Sequence, residues 1–268
     1  MAISRNFQGM ATLVSFHAHP DDESIACGGV MRKAADEGHR VVLVVATRGE
    51  VGEVEDGFLD DGEELWQRRV KETHAAAEIL GAVRVEFLGY VDSGMMGEPT
   101  NDAPGTFWTA DVEDAAQKLA AILTEENADV LTCYDDHGGY GHPDHIQVHR
   151  VGLRAAEIAD TKRVYQATMN RDQMQRRGAE LAEQQEIEQP EMPGDFGTPE
   201  AELTTAVDVQ KYATVKRAAM RAHASQISDQ SFFLAMPDEI FVQAFGTEWF
   251  IRVGAEPGIH EDDLLADL

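Results

Sequence analysis

At 268 residues and 43% apolar composition, the chain can bury one large core or two smaller ones. Its 22 basic residues face 49 acidic ones, and a net charge of −27 argues against nucleic acid or an anionic membrane surface as a partner. There is no apolar run of about 18 residues, so no membrane-spanning helix is expected, and the two cysteines, outside any CxxC pattern, exclude a disulfide framework or a thiolate zinc cluster.

Residues 1–8 carry no apolar segment of signal-peptide type, and strand-like residues begin at Ala11, so a cytoplasmic protein is expected. Apolar, β-branched runs at 11–16, 41–46, 83–88, 129–134 and 163–169 predict strands. Helix-like stretches at 22–37, 63–80, 111–127 and 143–159 alternate with them. Such alternation predicts right-handed βαβ units and an α/β fold, a Rossmann-like three-layer sandwich with a mostly parallel sheet. Residues 49–62 and 93–107 read as loops over the ligand edge of that sheet. An acidic helix over 171–186 leads into an irregular, proline-bearing segment at 185–199. A C-terminal extension follows, with a strand at 204–209, a helix at 211–227 and further apolar runs at 240–245 and 249–253. The acidic end, 261–268, reads as frayed. The whole is expected to be a single domain over 1–268, with its core at about 11–170, a C-terminal portion at about 200–255 and an acidic tail at 256–268.

The tetrad His-Pro-Asp-acid/His occurs twice, as His19-Pro20-Asp21-Asp22 and His142-Pro143-Asp144-His145. Each copy follows a predicted strand and opens a predicted helix, where proline is tolerated because its missing N–H is not needed. Ligands collect outside the carboxyl ends of parallel strands, and both copies fall there. His19 and Asp22, three residues apart, can lean toward one point and supply the imidazole and carboxylate that a catalytic divalent ion uses. Asp21 is then free to accept a proton. The alternative for this tetrad alone is a helix start with acids well placed at the macrodipole. His145 can complete a His, Asp, His set with one position open to water. Four of the ten histidines (His137, His142, His145, His149) lie within thirteen residues, beside Gly138, Gly139 and Gly141, which permit close approach or positive φ. His149 and His17 are expected to pack or hydrogen-bond near the site, and Cys27 and Cys133 to be buried. Arg69 either binds substrate or pairs with Glu72 three residues on. Glu50 either reaches sugar hydroxyls or is one acid among many. Met95 and Met96 line the pocket or simply pack.

The stretch from His17 to Ser24 (HAHPDDES), with Gly138 to His145 (GGYGHPDH), resembles the LmbE/PIG-L family of metal-dependent N-deacetylases. Within the family the likeness is greatest to the mycothiol-pathway group of N-acetylglucosaminyl-inositol deacetylases and mycothiol conjugate amidases. Thr47-Arg48-Gly49-Glu50, Arg69 to Glu72, Asp92 to Met95, Tyr134-Asp135 and Ala222 to Gln226 add to it, in order, over about residues 11–230. Residues 175–202 match no family pattern. The resemblance implies His19, Asp22 and His145 as ligands of zinc, with iron(II) as an alternative. It implies Asp21 as general base, Tyr140, His142 and Asp144 around the reaction centre, and Arg69 on the substrate. The expected reaction is hydrolysis of the N-acetyl group of a GlcNAc-type amino sugar, GlcNAc-inositol among the candidates, with release of acetate. In it Asp21 takes a proton from water, Tyr140 or a protonated His142 steadies the oxyanion, and Asp144 holds the His142 tautomer. Asp21 or His142 returns a proton to the amine. The rivals are an amidase on mycothiol S-conjugates and a non-catalytic metal-dependent sugar-binding protein, which would have no need of Asp21 and His142. The partner is a small molecule, and a homo-oligomer is compatible with the sequence.

Overall fold

The structure, a computed structural model, describes residues 9–185 and 196–268, so residues 1–8 and most of the segment read as irregular at 185–199 lie outside the described residues. In chain order the elements are β1 (Thr12–His17), α1 (Asp22–Ala26), α2 (Gly28–Asp36), β2 (Arg40–Val45), α3 (Leu65–Leu80), β3 (Arg84–Phe87), α4 (Val112–Glu125) and β4 (Val130–Tyr134). Then come α5 (Gly138–Gly141), α6 (Pro143–Ala159), β5 (Arg163–Thr168), α7 (Arg171–Gln185), β6 (Thr205–Asp208), α8 (Ala213–Ala222), α9 (Asp238–Phe245) and β7 (Thr247–Arg252).

One seven-stranded sheet runs in the order β3-β2-β1-β4-β5-β7-β6. The first five strands are mutually parallel, with Val14 opposite Val42 on one side and Leu131 on the other. β1 is buried along its whole length, as a central parallel strand covered on both faces must be. Strand order reverses between β1 and β4, which opens a crevice at their carboxyl ends. Helices α4 and α6 pack on each other, and α2, α3 and α8 form a second group. No helix among the described residues is long and apolar enough to cross a membrane.

Several elements differ from expectation. The helix predicted over 22–37 breaks at Cys27 (φ −129°, ψ 7°). The cause is Glu248 on β7, whose carboxylate accepts the amides of Gly29 and Val30 at 2.7 and 2.8 Å and so gives α2 its own N-terminus. Gly29 also lies so close to Val209 that a Cβ would stand 2.5 Å from its side chain. The helix expected over 211–227 stops at Ala222, because His223 turns inward to a buried carboxylate. The run at 240–245 forms all but the first two residues of α9. The strands expected in the C-terminal extension are present: β7 pairs antiparallel with β5, β6 pairs with β7, and Val207, Ala219 and Phe250 join the main core. The acidic end is not frayed either. Leu264 and Leu265 are buried in that core, and Glu261 accepts hydrogen bonds from Tyr165 and Thr205 at 3.0 and 3.1 Å.

Candidate metal and catalytic site

The two tetrads meet across the β1–β4 crevice. His19 leaves β1 two residues past its end, and Asp22 opens α1. On the other side His142 is the N-cap of α6, Pro143 takes the first helical position, and Asp144 and His145 follow in the first turn. His19, His142 and His145 bring ring nitrogens within 4.8 Å of one another, and all three are buried.

Asp22 is the pivot of the cluster. Its Oδ2 stands 3.4 Å from His19 Nδ1 and 3.4 Å from His145 Nε2, and it also accepts the His19 amide at 2.8 Å. Ligands about 2.0–2.1 Å from a tetrahedral ion stand roughly 3.3–3.4 Å apart. Each histidine has its far nitrogen occupied. His19 Nε2 donates to Asp144 Oδ2 at 3.1 Å, and His145 Nδ1 donates to the Gly138 carbonyl at 3.2 Å. These bonds turn His19 Nδ1 and His145 Nε2 toward Asp22, where each would offer its lone pair to an ion. Burial alone would raise the Asp22 carboxyl, yet the His145 and His19 rings hold it well below the usual carboxylate range. Two imidazoles and an ionised carboxylate, with both tautomers set by outer partners, fit a zinc-like ion.

Close approach of the backbone makes the second half possible. Gly138, at φ 65°, sits so near His145 that an added Cβ would stand 2.4 Å from the His145 Cβ. Gly139 and Gly141 also have positive φ. Tyr140, carried between them, is 45% exposed, with its hydroxyl 3.5 Å from His145 Nε2. It therefore stands over the cluster at the mouth of the site.

The expected contact between the Asp144 carboxylate and His142 is replaced by another arrangement. The carboxylate is fully buried and accepts from His19, from the Ser93 amide at 2.9 Å and from the Ser93 hydroxyl at 2.5 Å. It does not face the crevice. The backbone amide of Asp144, not its carboxylate, reaches His142, donating to Nδ1 at 3.1 Å. An amide can only donate, so Nδ1 accepts and the proton of the neutral ring resides on Nε2. Burial, then the nearby His19 and His145, lower the His142 imidazole to about 4. Both observations favour the neutral ring over the protonated form of His142 that was one of the expected alternatives.

Asp21 sits in an unusual backbone conformation, φ 96° and ψ −30°. Burial raises its carboxyl to about 6 against the pull of the Arg69 guanidinium. Arg69 is buried and engages Gly49 O at 2.9 Å, Pro20 O at 2.6 Å and Asp21 Oδ2 at 3.3 Å. It thus braces the Asp21 turn, and Glu72, its expected alternative partner, accepts instead from Ser225. Glu50 accepts from Arg48 Nε at 2.9 Å and from the Asp92 amide at 3.1 Å, tying the two predicted loops together. His17 bonds Ser15 and Tyr134, each at 2.8 Å, and His149 donates to the Tyr134 carbonyl at 3.1 Å. Both fit the packing and hydrogen-bonding reading.

Several residues at the site received no role from the sequence. Asp92 brings an oxygen 3.4 Å from His19 Nε2, and Ser93 bonds both oxygens of Asp144. Tyr134 stacks on His145 at 4.6 Å between ring centroids. Glu23 and His223 form a wholly buried pair. All of them lie inside the short motifs quoted above, which was the available signal, but their partners are distant in sequence.

A sequence model of the PIG-L family, described as GlcNAc-PI de-N-acetylase, matches residues 14–156. The chain is 41% identical over 279 aligned residues to the 1D-myo-inositol 2-acetamido-2-deoxy-alpha-D-glucopyranoside deacetylase of Nocardiopsis dassonvillei, covering 94% of this chain and 99% of that one. Its fold resembles that of N,N'-diacetylchitobiose deacetylase from Pyrococcus horikoshii, with TM-score 0.59, 22% identity, and 94% and 87% of the two chains covered. It also resembles a 4-carboxy-2-hydroxymuconate hydratase from Pseudomonas putida, with TM-score 0.58, 20% identity, and 92% and 98% covered. A deacetylase and a hydratase at equal structural distance show that the fold alone does not choose the reaction.

Proposed function

Since the chain belongs to the PIG-L family of GlcNAc-PI de-N-acetylases, we propose that it hydrolyses the acetamide of a GlcNAc-type amino sugar joined to inositol. The products are acetate and the free amine. The observation that carries this reading is the Asp22 carboxylate oxygen standing 3.4 Å from one ring nitrogen of each of His19 and His145, next to a second carboxylate, Asp21.

His19, Asp22 and His145 would hold the ion, zinc by preference and iron(II) as an alternative. When bound, it would supply Lewis-acid polarisation and acidify water. Asp21, near 6, is largely ionised at neutral pH yet basic enough to take the proton of the attacking water. The neutral His142 would offer its Nε2 proton to the oxygen of the tetrahedral species, and Tyr140, a protonated phenol at neutral pH, offers a second donor at the mouth. Asp21, once protonated, is the better candidate to return a proton to the amine, since His142 at about 4 is seldom protonated.

The test is an assay for freed amine with zinc-loaded and chelator-stripped protein. The substrates are GlcNAc-inositol, simple GlcNAc glycosides and a mycothiol S-conjugate. Turnover of GlcNAc-inositol that disappears on stripping and returns with zinc is expected. Preference for the S-conjugate would make the protein an amidase, and metal binding with no turnover of any substrate would favour the sugar-binding alternative.

A further inference from the structure

The Pro20–Asp21 peptide is held at both polar ends. Its carbonyl accepts from Arg69 Nη2 at 2.6 Å, and its N–H donates to Glu23 Oε2 at 3.1 Å. The residue it leads into, Asp21, has φ 96° and stands before a helix, whereas Asn127 and Asp160, also at positive φ, follow helices. An L-residue persists in such a conformation only where its surroundings enforce it.

The enforcement reaches across the molecule. Glu23 has no exposed surface, and its Oε1 lies 2.6 Å from Nε2 of His223, which has none either. The two are 200 residues apart. His223 arrives at the end of α8, and two residues later Ser225 donates from its amide and its hydroxyl to Glu72 at 2.9 and 2.7 Å. Glu72 lies on α3, the helix that carries Arg69. One clamp, Arg69, is therefore carried by α3, and the other, Glu23 on α1, is held from the end of α8, which Ser225 ties back to α3.

A buried ion pair is a poor way to gain stability, since apolar side chains of similar volume often do as well or better. Neither Glu23 nor His223 is open to the crevice, so neither can touch substrate. What the pair does touch is the amide of the residue read above as the base.

We propose that Glu23 and His223 are positioning residues for Asp21. Their contact locks the Pro20–Asp21 peptide in its left-handed turn and so fixes where the Asp21 carboxylate stands; as a statement about catalysis it rests on the deacetylase reading above.

Three variants test it. Glu23→Gln leaves one acceptor oxygen for three donors, the Asp21 N–H, the Ser24 hydroxyl and His223. His223→Ala removes the partner, and His223→Gln retains a donor on a side chain of similar reach. Glu23→Gln and His223→Ala should lower kcat about 10- to 100-fold, with KM and zinc content within about twofold of the parent. His223→Gln should recover much of the loss. In an Asp21→Asn background the same substitutions should change the residual rate by less than about threefold, because the group they position is gone. Equal losses with and without Asp21, or loss of zinc and a raised KM in place of a fall in kcat, would overturn the proposal.

Crystal structures of the zinc-loaded variants give a readout that needs no substrate. Asp21 should leave the left-handed region in Glu23→Gln or His223→Ala. If it keeps a φ near 96° in both, the proposal fails. A parent protein inert toward every substrate would count against the deacetylase reading alone, and the conformational result would still decide the role of the pair.

Discussion

The buried carboxylate of Asp144 accepts the Nε2 proton of His19 at 3.1 Å, across 125 residues of sequence. One tetrad thereby sets the tautomer of the histidine in the other. It also turns His19 Nδ1 toward Asp22, so the two halves of the proposed ligand set are not independent.

Asp144→Ala should therefore weaken zinc binding by about 10- to 100-fold, as loss of an outer partner of a ligand histidine does. His142 should keep its tautomer, because the amide at position 144 remains. Titration against a chelator of known affinity measures the first effect. Unchanged zinc affinity would show that His19 needs no such support.

Gly138→Ala asks whether the close approach to His145 matters. A Cβ there would stand 2.4 Å from His145 Cβ and 2.8 Å from the Ile146 nitrogen, in a residue at φ 65°. The strain should cost roughly 1–3 kcal/mol and displace His145. Both a lower urea midpoint and weaker zinc binding are expected, whereas wild-type values for both would contradict the packing described.

Glu126 supplies an acid-dependent part of the stability. Hydrogen bonds from Arg40 and Arg84 hold its carboxyl at about 2, below the ordinary 4.5. A depressed folded value means that the stabilisation is present above about pH 4.5 and is lost as the pH falls through about 2. Glu126→Gln should thus be less stable than the parent by roughly 1–2 kcal/mol at pH 7, allowing for the half-exposed Arg40. The difference should shrink steadily in urea melts taken from pH 5 to pH 2. A gap independent of pH would assign the effect to packing.

The thiols of Cys27 and Cys133 are both buried, and burial pushes Cys133 up to about 12. Neither should react with a thiol-labelling reagent at pH 8 in the native protein, and both should react after denaturation. Fast labelling of either in the native state would mean that the crevice walls open.

Much of this architecture could be read from periodicity. Continuous β-branched runs such as Val41 to Val45 can only be central strands, because a strand buried on both faces leaves no place for polar alternation. Pro20 and Pro143 marked helix starts after strands, and that placed both tetrads at the ligand edge. Elements controlled by distant partners were misread. The break at Cys27 is imposed by Glu248 on the last strand, and the early end of α8 by Glu23 in the first motif. Leu264 and Leu265, within an acidic end, are anchored by a core that the local sequence does not announce.

The sequence by itself determined which chemical groups are available: two imidazoles and a carboxylate of ligand type, a spare Asp21, and a glycine run that lets chains approach. Those properties are local, set by residue type and by spacing along one strand–helix junction. Only the tertiary structure decided the work of each group: Asp144 turned to His19, its amide turned to His142, and Arg69 turned to Asp21 rather than to Glu72. The physical reason is that a buried polar group must take its partner from whatever the packing of distant elements brings within hydrogen-bonding reach. For the Asp144 carboxylate those partners are Ser93 and the histidine of the first tetrad.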